Sequence, residues 1–238
     1  PAEDKLDSGL DTPKITVIES AAQFEQWVEA HRHEINVPDD IVDFPVSDYS
    51  NEAERHIMCG DAVGHAWTVT AWGDARPGRA HVQACAVATA SSAAIIEAPM
   101  ASSVQTALDR FLKAEHFRTI VHGYKELLHL LSAAGLGMAL PMFDTKLGGY
   151  LAQPDFHADN LNQAAEHFLD IHVVDAEQPA QGVLDFEDEH TEEDLNERRV
   201  HDLAVIRELA VTLGPVIDER RQYWLMRAIE LPVSRVLH

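Results

Sequence analysis

Cysteine is scarce in this chain. Its 238 residues contain two, Cys59 and Cys85, at neither a C-x-x-C nor any zinc-site spacing. No secretory segment opens the sequence, so the expected compartment is a reducing cytoplasm, with both thiols free. Long apolar runs are also missing. None approaches the roughly 18 residues of a membrane span, which excludes a membrane-spanning helix. Basic residues are few, 18 against 40 acidic ones, for a formal charge of -22. A surface that acidic repels phosphate, so nonspecific duplex binding by this chain alone should be poor. Nucleic acid would have to be brought to it by another part of a larger assembly. Fourteen histidines are present without an H-E-x-x-H pattern. The pair His31 and His33 in "HRHE" falls at a helix end, and the set is read as scattered and solvent-facing.

What is there reads as an ordinary globular core, 46% hydrophobic and 24% charged, long enough for one large domain or two small ones. Residues 1–13 are polar and patternless, a linker. "KITVIES" predicts a strand, followed by a helix with Ser20 and Gln23 at capping-box spacing and Phe24, Trp27 and Val28 on one face. Residues 33–56 show weak periodicity and several turn formers and are expected to form a long loop. "HAWTVTAW", "HVQACAVAT" and "AAIIEAP" predict an antiparallel meander, with "GDARPGR" as its first turn. Next come a capped helix at "SSVQTALDRFLKA", a strand at "RTIVH" and a helix at "YKELLHLLSAAG" that Gly135 ends. "ALPMF" predicts another strand, and "TKLGGYLAQ" and "NLNQAAEHFLD" predict helices. The eight carboxylates between Asp185 and Glu197 have no EF-hand spacing and read as a solvated loop. The long helix that follows is expected to break at Gly214-Pro215, and a last helix runs to the end. Strands, then alternating elements, then pure helix predict an α/β fold: a mixed sheet covered by helices, with a helical C-terminal extension.

Several stretches resemble, in order, the 3'-to-5' exonuclease domain of bacterial DNA polymerase I. These are "KITVIESAAQFEQWV", the run "FDTKLGGYLAQPDFHADNLNQAAEHFLD", and "YWLMRAIELPVSRVL" with Glu230, Leu231 and Pro232. The last is similar to the segment leading from exonuclease to polymerase domain. The resemblance implies a ribonuclease H-like fold, a mixed five-stranded sheet flanked by helices. It divides the chain into an exonuclease-like domain at 14–214 and a helix at 215–238 that connects to a polymerase domain.

Nucleases of that family hold two divalent ions, Mg or Mn, about 4 Å apart with four carboxylates. The matching positions here are largely empty of carboxylates. The first motif, Asp-x-Glu, falls on Thr70 and Trp72; Asp74 lies beyond Gly73 in the turn. The second-motif Asp falls on Leu127, with Glu126 about 100° away on the helix. In the third, Tyr-x-x-x-Asp, Arg198 stands for the tyrosine and Asp202 survives, with Arg198 on its helix face as an ion-pair partner. Asp144 of "FDT" is not a metal ligand in the family and suits an N-cap.

One carboxylate cannot hold two ions, so the resemblance implies a catalytically silent domain without bound metal or other cofactor. Its role would be to support the polymerase domain of the same parent chain in DNA repair and replication, meeting DNA through that parent. The enzyme alternative is a weak 3'-to-5' exonuclease rebuilt on Asp74, Glu126, Asp144 and Asp202. A third reading is a stand-alone protein-interaction module on the same fold.

Overall fold

The expected meander forms β2 (Trp67–Asp74), β3 (His81–Ala88) and β4 (Ser92–Glu97), paired antiparallel in succession. The computed structural model describes residues 9–37, 58–114, 116–171 and 192–237. Beyond β2 the sheet continues with β5 (Thr119–Val121) and β6 (Phe143–Asp144), both parallel to their inner neighbours. On the other side β1 (Lys14–Val17) runs parallel to β4. The order is β1-β4-β3-β2-β5-β6, a mixed sheet flanked by helices. It carries six strands where the resemblance implied five, and all six overlap segments that the residue pattern predicts as strands. β1 covers the outer edge of β4, which would otherwise present unpaired backbone groups.

Strand alternation gives the sheet two different faces. Trp67 and Val69 of β2 face the main core, where the Trp67 ring meets Trp27 of α1 (Ala21–His31) and Phe111 of α2 (Ser102–Lys113). On the opposite face Trp72 joins Ala84, Ala86, Ala88, Ala93 and Ile95 against Val200 and Leu203 of α6 (Glu192–Glu219). Four alanines keep that face low, so the helix lies close to the strands.

Local chemistry explains several helix ends. Ser20 accepts from the N–H of Gln23 at 3.2 Å, and the Gln23 side chain accepts from Glu19, a reciprocal cap on α1. Phe24, Trp27 and Val28 of α1 are buried. The cap expected on α2 is absent: Ala101 occupies the N-cap and makes no side-chain bond there. Both serines of "SSVQ" lie inside the first turn. α3 (Tyr124–Ala133) ends at Gly135, whose φ of +69° suits a glycine, and Leu136 N–H returns to the Leu131 carbonyl at 2.8 Å. α4 (Thr145–Ala152) follows β6 directly, and α5 (Leu161–Leu169) is capped by Asn160.

The expected break at Gly214-Pro215 does not occur. α6 runs through both residues to Glu219. Pro215 and Val211, whose carbonyl it cannot hydrogen-bond, are both exposed, so water can take that carbonyl. Gly214 instead allows close approach: a Cβ there would sit 3.1 Å from Val63 in the 3-10 turn Gly60–His65. Asp218 ties the same turn to α6, accepting the N–H of Cys59 at 2.8 Å and of Gly60 at 2.6 Å. The chain turns at Arg221, with φ 55°, and resumes as α7 (Tyr223–Leu225), a π-turn over Met226–Glu230 and α8 (Leu231–Val236).

Residues 38–56 of the expected loop and 185–191 of the acidic stretch lie outside the described residues; Glu192 to Glu197 belong to α6. Cys59 and Cys85 are free and buried. Among the described residues no helix is long and apolar enough to cross a membrane.

Candidate functional site

Alternation along β2 sends Thr68, Thr70 and Trp72 toward α6. The helix answers with Asp202, 8% exposed, which accepts a hydrogen bond from the Trp72 indole Nε1 at 2.8 Å. Thus two of the positions singled out in the sequence, Trp72 and Asp202, are in direct contact. Thr70 is half-buried two residues earlier on the same strand. Leu127 is buried within α3 and belongs to the main core. Arg198 is half-buried on α6, but the arginine lying over Trp72 is its neighbour Arg199, with Cζ 5.4 Å from the ring centroid. Arg199 also donates to Glu97 of β4 at 2.5 Å and to Asn196 at 3.3 Å. Arg199 and Glu97 were not picked out from the sequence. Their one signal there is the i,i+3 spacing of Arg199 and Asp202.

The remaining carboxylates are engaged elsewhere. Asp74, at the end of β2 past a bulge at Gly73, accepts from the backbone and guanidinium of Arg76. That partner holds its carboxyl well below the usual carboxylate range. Glu126 pairs with Lys146 at 2.8 Å; burial pushes its carboxyl up, and the lysine outweighs this to set it low. Asp144 accepts from the N–H groups of Gly123 at 2.9 Å, Tyr124 at 2.7 Å and Lys146 at 2.9 Å, joining the N-termini of α3 and α4. Burial raises its carboxyl, against those three bonds. Beside it, His122 bonds Thr145 through Nδ1 at 2.8 Å, and burial, then the Lys146 charge, lower its ring to about 4. His31 and His33 each bond a helix carbonyl, of Trp27 and Ala30. Among the described residues no three His, Cys, Asp or Glu side chains gather as a metal site requires.

A cavity of about 260 Å³ opens at the carboxyl ends of β5 and β6, between α3, α4 and α5. Tyr150, Phe156 and Phe168 supply its aromatic wall, and Lys125, Glu126 and Lys146 its charged rim.

No protein-family model and no curated protein matches this sequence. Solved structures do match. The POL domain of Pol1 from M. smegmatis superposes with a TM-score of 0.59 at 18% identity, over 78% of this chain and 29% of that one. Escherichia coli RNase D, described as an exoribonuclease, gives 0.59 at 13% identity, over 94% and 50%. Brucella melitensis NrnC gives 0.55 at 18% identity, over 72% and 83%. The fold is that of the ribonuclease H-like 3'-to-5' exonucleases. This exonuclease-like chain spans well under two thirds of the Pol1 and RNase D chains, so it corresponds to part of each.

One NrnC structure carries bound Mg2+. The residues described in this chain do not fit such an ion. A hard cation needs several oxygen ligands; among the described residues the contact of β2 with α6 brings one carboxylate, Asp202, with an indole N–H pointed at it, and Glu97 of β4 on the same face is taken by Arg199. Indole is a donor only and cannot ligate a metal.

Proposed function

We propose that this exonuclease-type domain is catalytically silent and acts as structural support for the polymerase domain of a DNA polymerase I-type protein, in DNA repair and replication. One observation carries the reading: the Trp72 indole, at a position where the polymerase exonucleases keep a carboxylate, donates to Asp202. Thr70 and Leu127 leave two further ligand positions without a carboxylate, and ligands of one site fail as a unit. The likeness to the Pol1 POL domain is consistent with a place beside polymerase machinery. Ile229, Val233, Val236 and Leu237 recur at helical spacing on the last helical segment, and all are exposed. Such an apolar stripe suits burial against an adjoining domain, the partner this reading names.

A rebuilt nuclease on Asp74, Glu126, Asp144 and Asp202 has no support from their surroundings, since each already serves a nearby donor. The deciding experiment is degradation of single-stranded and mismatched-end DNA with magnesium and with manganese. Asp202→Ala runs beside the wild type to reveal contaminating nuclease. No trimming by either protein is expected. Trimming by the wild type that disappears in Asp202→Ala would overturn the proposal.

A further inference from the structure

The strand register places three residues in one row across the sheet beneath α6. Trp72 of β2 stands opposite Ala84 of β3, and Ala84 stands opposite Glu97 of β4. One turn of α6 addresses both ends of that row. Asp202 accepts the Trp72 indole N–H at 2.8 Å. Arg199, three residues earlier on the same helix face, lies over the Trp72 ring and reaches Glu97 at 2.5 Å. The Arg199 side chain therefore joins the two ends of the row, with Ala84 between them; a long side chain at position 84 would compete for that space. The Arg199 side chain is 3% exposed and that of Glu97 47%, so the pair has one end in the interior and one in water. On the flanks of the same helix, Arg207 donates to the Gly64 carbonyl at 2.6 Å, and Asp218 holds Cys59 and Gly60.

We infer that Trp72, Asp202, Arg199 and Glu97 form a clamp that fastens α6 to β2 and β4 without a metal ion. In a nuclease of this fold, a divalent ion held by carboxylates from strand and helix would also cross-link those two elements. Here the indole N–H supplies the hydrogen bond to the helix carboxylate, and the arginine supplies the positive charge over the strand. Both the large ring at Trp72 and the small side chain at Ala84 are requirements of the clamp: one gives the guanidinium a surface, the other leaves it a path. Trp72, Arg199 and Glu97 are positioning residues in this assignment, and it stands independently of whether an adjoining domain is a polymerase.

The test is a double-mutant cycle on the whole chain, read by thermal midpoint and by hydrogen exchange of the α6 amides. Trp72→Phe keeps the ring beneath Arg199 and removes the N–H; Asp202→Leu removes the acceptor. Each single variant is expected to lower the midpoint by several degrees and to speed exchange in α6 around residues 199–206. The double variant should lose clearly less than the two losses added together. Ala84→Leu, which leaves every polar partner in place, should speed α6 exchange as well. Millimolar MgCl2 or MnCl2 should leave the wild-type midpoint unchanged. Strictly additive losses would overturn the clamp. A wild-type midpoint that rises with manganese and stops rising in Asp202→Leu would overturn it too, because a ligand bound only by the folded state stabilises by mass action. If the double variant does not fold, the wild-type metal titration and the Ala84→Leu exchange still decide between these outcomes.

Discussion

Asp144 and His122 sit near one another at the ends of the parallel strands β5 and β6, and each is a titratable group largely withdrawn from water. Asp144 satisfies backbone donors from two helices at once, through Gly123, Tyr124 and Lys146. Asp144→Ala would strand those N–H groups in a buried place, at a cost of about 2–4 kcal/mol in urea unfolding. Asp144→Asn, which keeps one acceptor oxygen, should cost less. His122 has a pH signature of its own. Its folded ring is lowered to about 4 by burial and then by Lys146, against an ordinary value of 6.5 in the unfolded chain. Above pH 6.5 the ring is neutral in both states and contributes no pH dependence. As pH falls from 6.5 toward 4 the unfolded chain takes up a proton that the folded ring refuses, so stability declines across that window. The difference between wild-type and His122→Asn unfolding free energies, followed against pH, should show that decline and be flat above 6.5. A difference curve flat throughout would refute it.

At the scale of elements, α6 is the organising piece. It covers the alanine-lined face of the sheet and carries Arg199, Asp202, Arg207 and Asp218 to four separate anchor points. It does so while holding Pro215 within its span, a residue that removes one helix hydrogen bond. Because Pro215 is exposed and its neighbour Gly214 makes the close contact with Val63, restoring the N–H should meet no steric penalty. Pro215→Ala is expected to stabilise the chain by about 1–3 kcal/mol in chemical denaturation. A loss of stability would mean that the proline sets a bend on which the docking of α6 depends. The strands and the amphipathic helices α1 and α3 were legible in the sequence from periodicity and turn residues. The helix break was misplaced because glycine followed by proline is a stop signal only where the chain is free to leave the helix. Here packing against the Gly60–His65 turn holds α6 straight through it.

At the scale of the whole molecule, charge and site chemistry point the same way. With a formal charge of -22, this chain by itself should bind single-stranded or duplex DNA more weakly than about 100 μM at physiological salt. Fluorescence anisotropy with a labelled oligonucleotide checks this. Micromolar affinity that weakens steeply with salt would reveal a basic groove that the charge balance conceals. The exonuclease-type architecture thus supplies shape and an apolar stripe along Ile229, Val233, Val236 and Leu237, in a molecule whose surface charge opposes nucleic acid.

The sequence by itself determined the local features: which segments are strands and helices, where Ser20 and Gly135 begin or end them, and that Thr70, Trp72 and Leu127 carry no carboxylate. These depend on side-chain type and on spacing within a few residues. Tertiary structure alone decided which of these side chains meet, and what meets them. The row Trp72–Ala84–Glu97 exists only once the register of three strands is set, and Arg199 meets it only because α6 lies across that face. No periodicity in the chain encodes a contact between residues 72, 97 and 199, since their meeting depends on how separate elements are stacked.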